Sequence, residues 1–165
     1  MVRAAILAVV VILGGCLDGG GTRADGTPPA AGKDSDSAFA LVQARGHTAM
    51  GVDQYTSFHR FEPLPDGGRI ALQRDAADSA GAAQIRAHMR TIASAFERGD
   101  FSLPGFVHGR EVPGTAVMAA RRSRIYYTTD SLPGGGQVRL RSSDPVAVAA
   151  IHEFLAFQRH DHRRP

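Results

Sequence analysis

A chain of 165 residues with 19 Lys and Arg against 16 Asp and Glu carries a formal net charge of +3. That charge is too mild to imply nucleic acid as a partner, and the length fits one domain with extensions. The one cysteine rules out an intrachain disulfide framework and any zinc site built on paired thiolates. Basic positions are held by arginine throughout, with Lys33 the single exception.

The chain opens with Arg3, an apolar run Ala4–Leu13, the small pair Gly14-Gly15 and then Cys16. This order matches a targeting segment: a positive n-region, an apolar h-region and a small-residue cleavage site. The run is too short for a permanent membrane span, which needs about 20 apolar residues. Leu13-Gly14-Gly15-Cys16 resembles the lipobox of bacterial lipoprotein precursors. The resemblance implies that residues 1–15 are a signal peptide that is removed. It also implies that Cys16 carries lipid on its sulfur and on its new amine. Each buried CH₂ contributes about 0.8 kcal/mol, so two or more acyl chains anchor stably where one does not. The implied location is the cell envelope. Leu17 rather than Asp after the cysteine favours the outer membrane, facing the periplasm, in a Gram-negative cell; otherwise the outer face of the cell membrane is expected.

Asp18–Ser37 holds Gly-Gly-Gly and Pro-Pro and no large apolar side chain. Such a segment buries too little surface to offset its ordering entropy. Residues 16–38 are therefore expected to form a lipidated, flexible tether with a reach of roughly 25 Å, and residues 39–165 a single domain.

An internal repeat organises that domain. Leu64-Pro65-Asp66-Gly67-Gly68 recurs 68 positions later as Leu132-Pro133-Gly134-Gly135-Gly136. Strand-like runs precede them (Tyr55–Phe61, Ser123–Thr129) and follow them (Arg69–Arg74, Gln137–Ser142), which reads as two hairpins. A helix is expected after each, about Ser79–Arg98 and Pro145–His160. Asp78 or Ser79 is the candidate N-cap of the first; Asp144-Pro145 opens the second with an N-cap and a proline at the first turn. Aligning His88 with His152 requires an offset of 64, hence four residues missing between hairpin and helix in the second half. The expected fold class is α+β: a ββα–ββα order, a four-stranded antiparallel sheet and both helices on one face. Ile70, Leu72, Ile125, Tyr127, Val138 and Leu140 should face the helices, where Ile85, Met89, Ile92 and Phe96 and then Val148, Ile151 and Leu155 form apolar stripes. Phe101–Ala120, rich in Gly and Pro, should be mostly loop.

Seven histidines are the chemical resource of a domain without a thiol. His59 lies on the inner strand face. His88 and His152 border the apolar stripes of the two helices, and His108 falls in the connecting loop with Met118 beyond it. Convergence of His59, His88, His108 and His152, with Met118, would suit copper or zinc, because imidazole binds both and thioether suits Cu(I). His160-Asp161-His162 is expected to be a solvated tail. Arg60, Arg69, Arg124, Arg139 and Arg141, with Phe58 and Tyr126, are expected on the open sheet face, where guanidinium forks suit an anionic ligand or an envelope partner protein. No nucleophile elbow or phosphate loop is present, since a strand rather than a helix follows Gly134-Gly135-Gly136. A non-catalytic binding domain is therefore expected.

Met50-Gly51-Val52-Asp53-Gln54, His59-x-Phe61, Ile85-x-x-His88, Val107-His108 and Asp144-Pro145…Ala150-Ile151-His152-x-Phe154-Leu155-x-Phe157-Gln158 give the domain a pattern similar to a group of uncharacterised exported bacterial proteins. The resemblance spans most of Met50–His162. It implies no activity, and places weight on the four domain histidines rather than those of the tail.

Overall fold

A computed structural model of the chain describes residues 31–51 and 55–162. Cys16, the signal segment and the first part of the tether lie outside the described residues. The elements are α1 (Ala31–Met50), β1 (Ser57–Leu64), β2 (Gly67–Arg74), α2 (Ser79–Glu97), α3 (Ser102–His108), α4 (Thr115–Ala120), a short 3₁₀ turn (Arg122–Arg124), β3 (Tyr126–Leu132), β4 (Gly135–Arg141) and α5 (Pro145–Asp161). The fold is α+β, with one four-stranded antiparallel sheet in the order β1-β2-β4-β3.

The strands alternate as their sequences require. Ile70, Leu72, Val138 and Leu140 are buried under the helices, while Phe58 and Tyr126 are exposed on the other face. Each hairpin closes through a two-residue turn, Leu64 pairing with Gly67 and Leu132 with Gly135. Proline after each leucine holds that leucine extended and places the turn there. In the central β2–β4 pair, Ile70 lies opposite Val138, its own counterpart 68 positions on. Both strand ends reach the opposite turn in the same way: Arg74 donates its N–H to the Gly134 carbonyl, and Ser142 donates its N–H to that of Asp66, each at 2.9 Å.

The helices exchange partners. α2 lies over β4 and β3, and α5 over β1 and β2, so each ββα unit covers the hairpin of the other. The N-caps are Asp78, accepting from Gly81 N–H, and Asp144, accepting from Val146 N–H. These caps are 66 positions apart, as are Ile85 and Ile151, both fully buried. The helix offset is thus 66 rather than 64, and two residues are missing, not four. This places His152 in the role of Arg86. Arg86 donates to the Gly135, Leu132 and Pro133 carbonyls at 3.0, 2.9 and 3.2 Å. His152 Nε2 meets the Leu64 carbonyl at 2.9 Å.

Three expectations are corrected by the helices outside the repeat. α1 begins at Ala31, inside the segment assigned to the tether. Phe39, Val42, Gly46 and Met50 recur at helical spacing, and Val42, Gln43 and Gly46 are buried. Phe101–Ala120 is largely helical rather than loop. Phe101 enters α3 with its ring 4.5 Å from that of Phe96, Pro104 falls within the first turn of α3, and the left-handed Gly109 (φ 65°) ends the helix. Gly114 (φ 82°) opens α4 where a Cβ would collide with the Ala150 carbonyl. Arg124 lies in the 3₁₀ turn rather than on a strand, and its carbonyl accepts from the Ser142 hydroxyl at 2.7 Å.

Arg86→Ala leaves three turn carbonyls without their charged donor. It should lower stability by about 1–3 kcal/mol, read as a shift of the urea midpoint; a loss below about 0.5 kcal/mol would show that this arginine does not hold the second hairpin.

Candidate functional site

One cavity of about 70 Å³ is surrounded by β1, β2, α2 and α5 and closed by α1 and α3. Its walls are mainly apolar, including Phe61, Ile70, Ile92, Phe96, Val107 and Phe154. Four histidines line it: His59, His88, His108 and His162.

Each arrives by a different route. His59 shares the inner face of β1 with Ser57 and Phe61, both buried, and its ring lies parallel to that of Phe61 with centroids 5.5 Å apart. His88 occupies the α2 position equivalent, at the offset of 66, to Phe154 in α5, which explains why it points inward. His108 ends α3. His162 follows α5 as its C-cap, its N–H bonded to the Gln158 carbonyl at 3.0 Å. Phe154, Gln158 and His162 are spaced by four and share one helix face. That spacing was the signal for His162, which the expectation of a solvated tail overlooked. Its ring lies 4.7 Å from His59, 5.3 Å from Phe61 and 5.2 Å from His108, centroid to centroid.

Two other expectations about the histidine set are corrected. His152 is held at the Leu64 carbonyl and does not line the cavity. Met118, on α4, is fully buried in the core and does not line it either. The thioethers at the cavity are Met50, at the end of α1, and Met89 of α2. Among the described residues no group of three or more His, Cys, Asp and Glu side chains is arranged to hold a metal ion.

The four imidazoles are not equivalent. His108 has both nitrogens engaged: Nδ1 lies 2.7 Å from the Asp161 carboxylate and Nε2 2.9 Å from the Gln158 side-chain amide. Arg110 bonds the other Asp161 oxygen at 3.2 Å and stacks over Phe157. His108 is therefore a clasp between the ends of α3 and α5. His59, His88 and His162 have no hydrogen-bond partner among the described residues, and all three are held neutral. Burial lowers His59 to about 4, helped by the nearby His88 and His108. Burial alone lowers His88 to about 4. Burial, with His59 and His108 nearby, takes His162 to about 2 against the opposing pull of Asp161.

The open sheet face differs from expectation in its electrostatics. Arg69 is paired with Glu62, and Arg139 and Arg141 with Asp66. The bond from Arg139 holds the Asp66 carboxyl below its usual range. Arg60 and Arg124 are exposed, Arg60 on β1 and Arg124 off the sheet. The five arginines therefore do not form one basic surface.

The chain matches no protein-family model, no curated protein and no solved structure. The cavity is thus read from its own chemistry: neutral, unpartnered imidazoles and thioethers in an apolar wall, which can donate lone pairs to a small electrophile or hydrogen-bond a small polar molecule.

A histidine whose pKa is lowered by folding binds fewer protons folded than unfolded. Its stabilisation is complete above the unfolded value of about 6.5 and is lost as pH falls toward the folded value. Stability should therefore decline from pH 6.5 to 4, by up to about 1.4 kcal/mol per unit of displacement. Urea midpoints at pH 7.5, 5.5 and 4.5 should fall in that order, and the decline should be smaller in His162→Phe. A midpoint constant across this range would contradict the neutral cluster.

Proposed function

We propose that this chain is an envelope lipoprotein, anchored through acyl chains on Cys16, whose domain is a non-catalytic module that binds a transition-metal ion in the histidine cavity. The observation that carries the reading is the cavity shared by His59, His88 and His162, whose rings as placed do not form a ready-made three-ligand group and must turn toward an ion. These three side chains line one cavity, are held neutral by burial and lack hydrogen-bond partners among the described residues. Neutral imidazole is the ligand form, so binding there displaces no proton. A cavity of about 70 Å³ is half the size of one that holds benzene, about 150 Å³, which favours an ion held by side chains over an organic ligand. The proposed ligands differ from the set expected from sequence: His162 takes the place of His152, and His108, whose two nitrogens are engaged as a clasp, and Met118 drop out. The sheet face is not the site in this reading, because its carboxylates already engage Arg69, Arg139 and Arg141.

The anchor and the module are tested separately. Cys16→Ala should move the chain from the membrane fraction to the soluble fraction and abolish palmitate labelling; a chain still membrane-bound and labelled would refute lipidation there. For the module, untagged protein should bind one equivalent of zinc or copper. Affinity should fall at least tenfold in His59→Gln and in His88→Gln, and stay unchanged in His152→Gln. Equal affinity in all four proteins would remove the cavity as the metal site.

A further inference from the structure

We propose that the outer face of the sheet binds an extended, uncharged β-1,4-linked saccharide chain, gripped at a hollow by Tyr126, Asp66 and Arg141 and reaching across to Phe58. This site is separate from the histidine cavity, which lies under the helices on the other side of the sheet, and it stands or falls without the metal reading.

The hollow has a volume of about 520 Å³ and is lined by Asp66, Tyr126, Thr128, Arg141, Ser142 and Ser143. Small-ligand sites occupy about 300–1,000 Å³. Strand register builds it. Tyr126 stands opposite Arg141 across β3 and β4, and Arg141 stands opposite Gly67 across β4 and β2. The guanidinium is thus flanked by a ring on one side and by no side chain on the other. The turn that carries Asp66 is fixed, because its carbonyl accepts the Ser142 N–H at 2.9 Å. One oxygen of the Asp66 carboxylate accepts from Arg139 and the other from Arg141 Nε at 3.2 Å. Among the described residues the terminal nitrogens of Arg141 have no partner, and each Asp66 oxygen has a further lone pair. The pair therefore presents donors and acceptors side by side.

Two exposed rings extend the site. Tyr126 is 69 % exposed and Phe58 57 %, and among the described residues no ring or guanidinium stacks on either. They are the same position of the repeat, 68 residues apart, although their neighbours on this face differ between the halves: Arg60 against Thr128, Arg69 against Gln137, Gln73 against Arg141. The register runs from Phe58 through Gln73 and Gly135 to Leu132, and Tyr126 lies six residues back along β3. Strand spacing and rise put the two rings roughly 25 Å apart, at opposite corners of the sheet.

Charge decides the class of ligand. Glu62 is paired with Arg69, Asp66 with Arg139 and Arg141, and Asp130 accepts from Gln137 at 3.2 Å. A charged ligand must break one of these pairs. A hydroxyl donates and accepts at once, so neighbouring sugar hydroxyls bond Asp66 and Arg141 without parting them, through charge-assisted hydrogen bonds. The C–H face of a pyranose is apolar and stacks on an aromatic ring. A β-1,4 linkage keeps the chain straight and flat, so that it lies along a sheet and meets both rings, whereas an α-1,4 chain curves away.

The test uses the full chain with Cys16→Ser, untagged. Cellohexaose and chitohexaose are titrated by calorimetry, with maltohexaose, an α-1,4 chain of equal length, as the control. At least one β-1,4 hexasaccharide should bind with a Kd of about 1 mM or tighter, and at least tenfold more tightly than maltohexaose. Tyr126→Ala and Phe58→Ala alter only exposed side chains, so the urea midpoint should stay near that of the parent while each weakens saccharide binding at least fivefold. Tyr126→Phe keeps the ring and should keep the affinity; Arg141→Gln should lose at least fivefold. No binding of either β-1,4 hexasaccharide at about 1 mM, affinity unaltered in either Ala variant, or maltohexaose bound equally well would overturn the proposal.

Discussion

The antiparallel pairing of β2 with β4 is the constraint on which the rest depends. It sets Ile70 against Val138 and brings the two hairpins into one sheet about a local twofold relation. It also requires close approach. A Cβ on Gly135 would strike the Leu72 carbonyl, and one on Gly68 the Leu155 side chain. With the glycines in place, β2 and β4 form the sheet centre and each turn receives an N–H from the far end of the other hairpin. The helices can then cross, α2 onto β3 and β4 and α5 onto β1 and β2.

The cavity arises where the two halves depart from that relation. Positions 66 apart correspond along α2 and α5, and several pairs match in kind: Asp78 with Asp144, Ile85 with Ile151, Met89 with Leu155. Others do not. His88 stands where the second half has Phe154, and His162 where the first half has Phe96. An imidazole replacing a phenyl keeps a flat ring in the packing and adds two nitrogens. Burial among Phe61, Phe96 and Phe154 then keeps those nitrogens neutral, because the interior disfavours the imidazolium. Polar side chains thus sit beside the hydrophobic core at positions that the repeat relates to aromatic residues.

The elements outside the repeat close this space. α3 is fastened at its end by His108 to Asp161 and by Arg110 to Asp161 and Phe157. α1 packs on α3 and α2 and contributes Gly46, Ala49 and Met50 to the wall. The ββα units supply the floor and sides of the cavity, and the two added helices supply its roof.

The repeat, the hairpins, both long helices with their aspartate caps and the inner strand face were legible in the sequence, because each depends on local chemistry: turn residues, capping side chains and the periods of strand and helix. His59 and His88 were legible as inward-facing for the same reason. α3 and α4 were not, since Gly and Pro there signal interruption, whereas α5, distant in sequence, supplies the contacts of those short helices; nor was α1, which packs on α3 and α2. The sequence by itself determined which residues alternate, cap and turn, and that the one cysteine follows an apolar run and two glycines. Only the tertiary structure decided which histidines meet. His152 and His162 lie on the same helix, ten residues apart, and their fates follow from what each faces: His152 a turn carbonyl that needs a donor, His162 an apolar cavity that offers none.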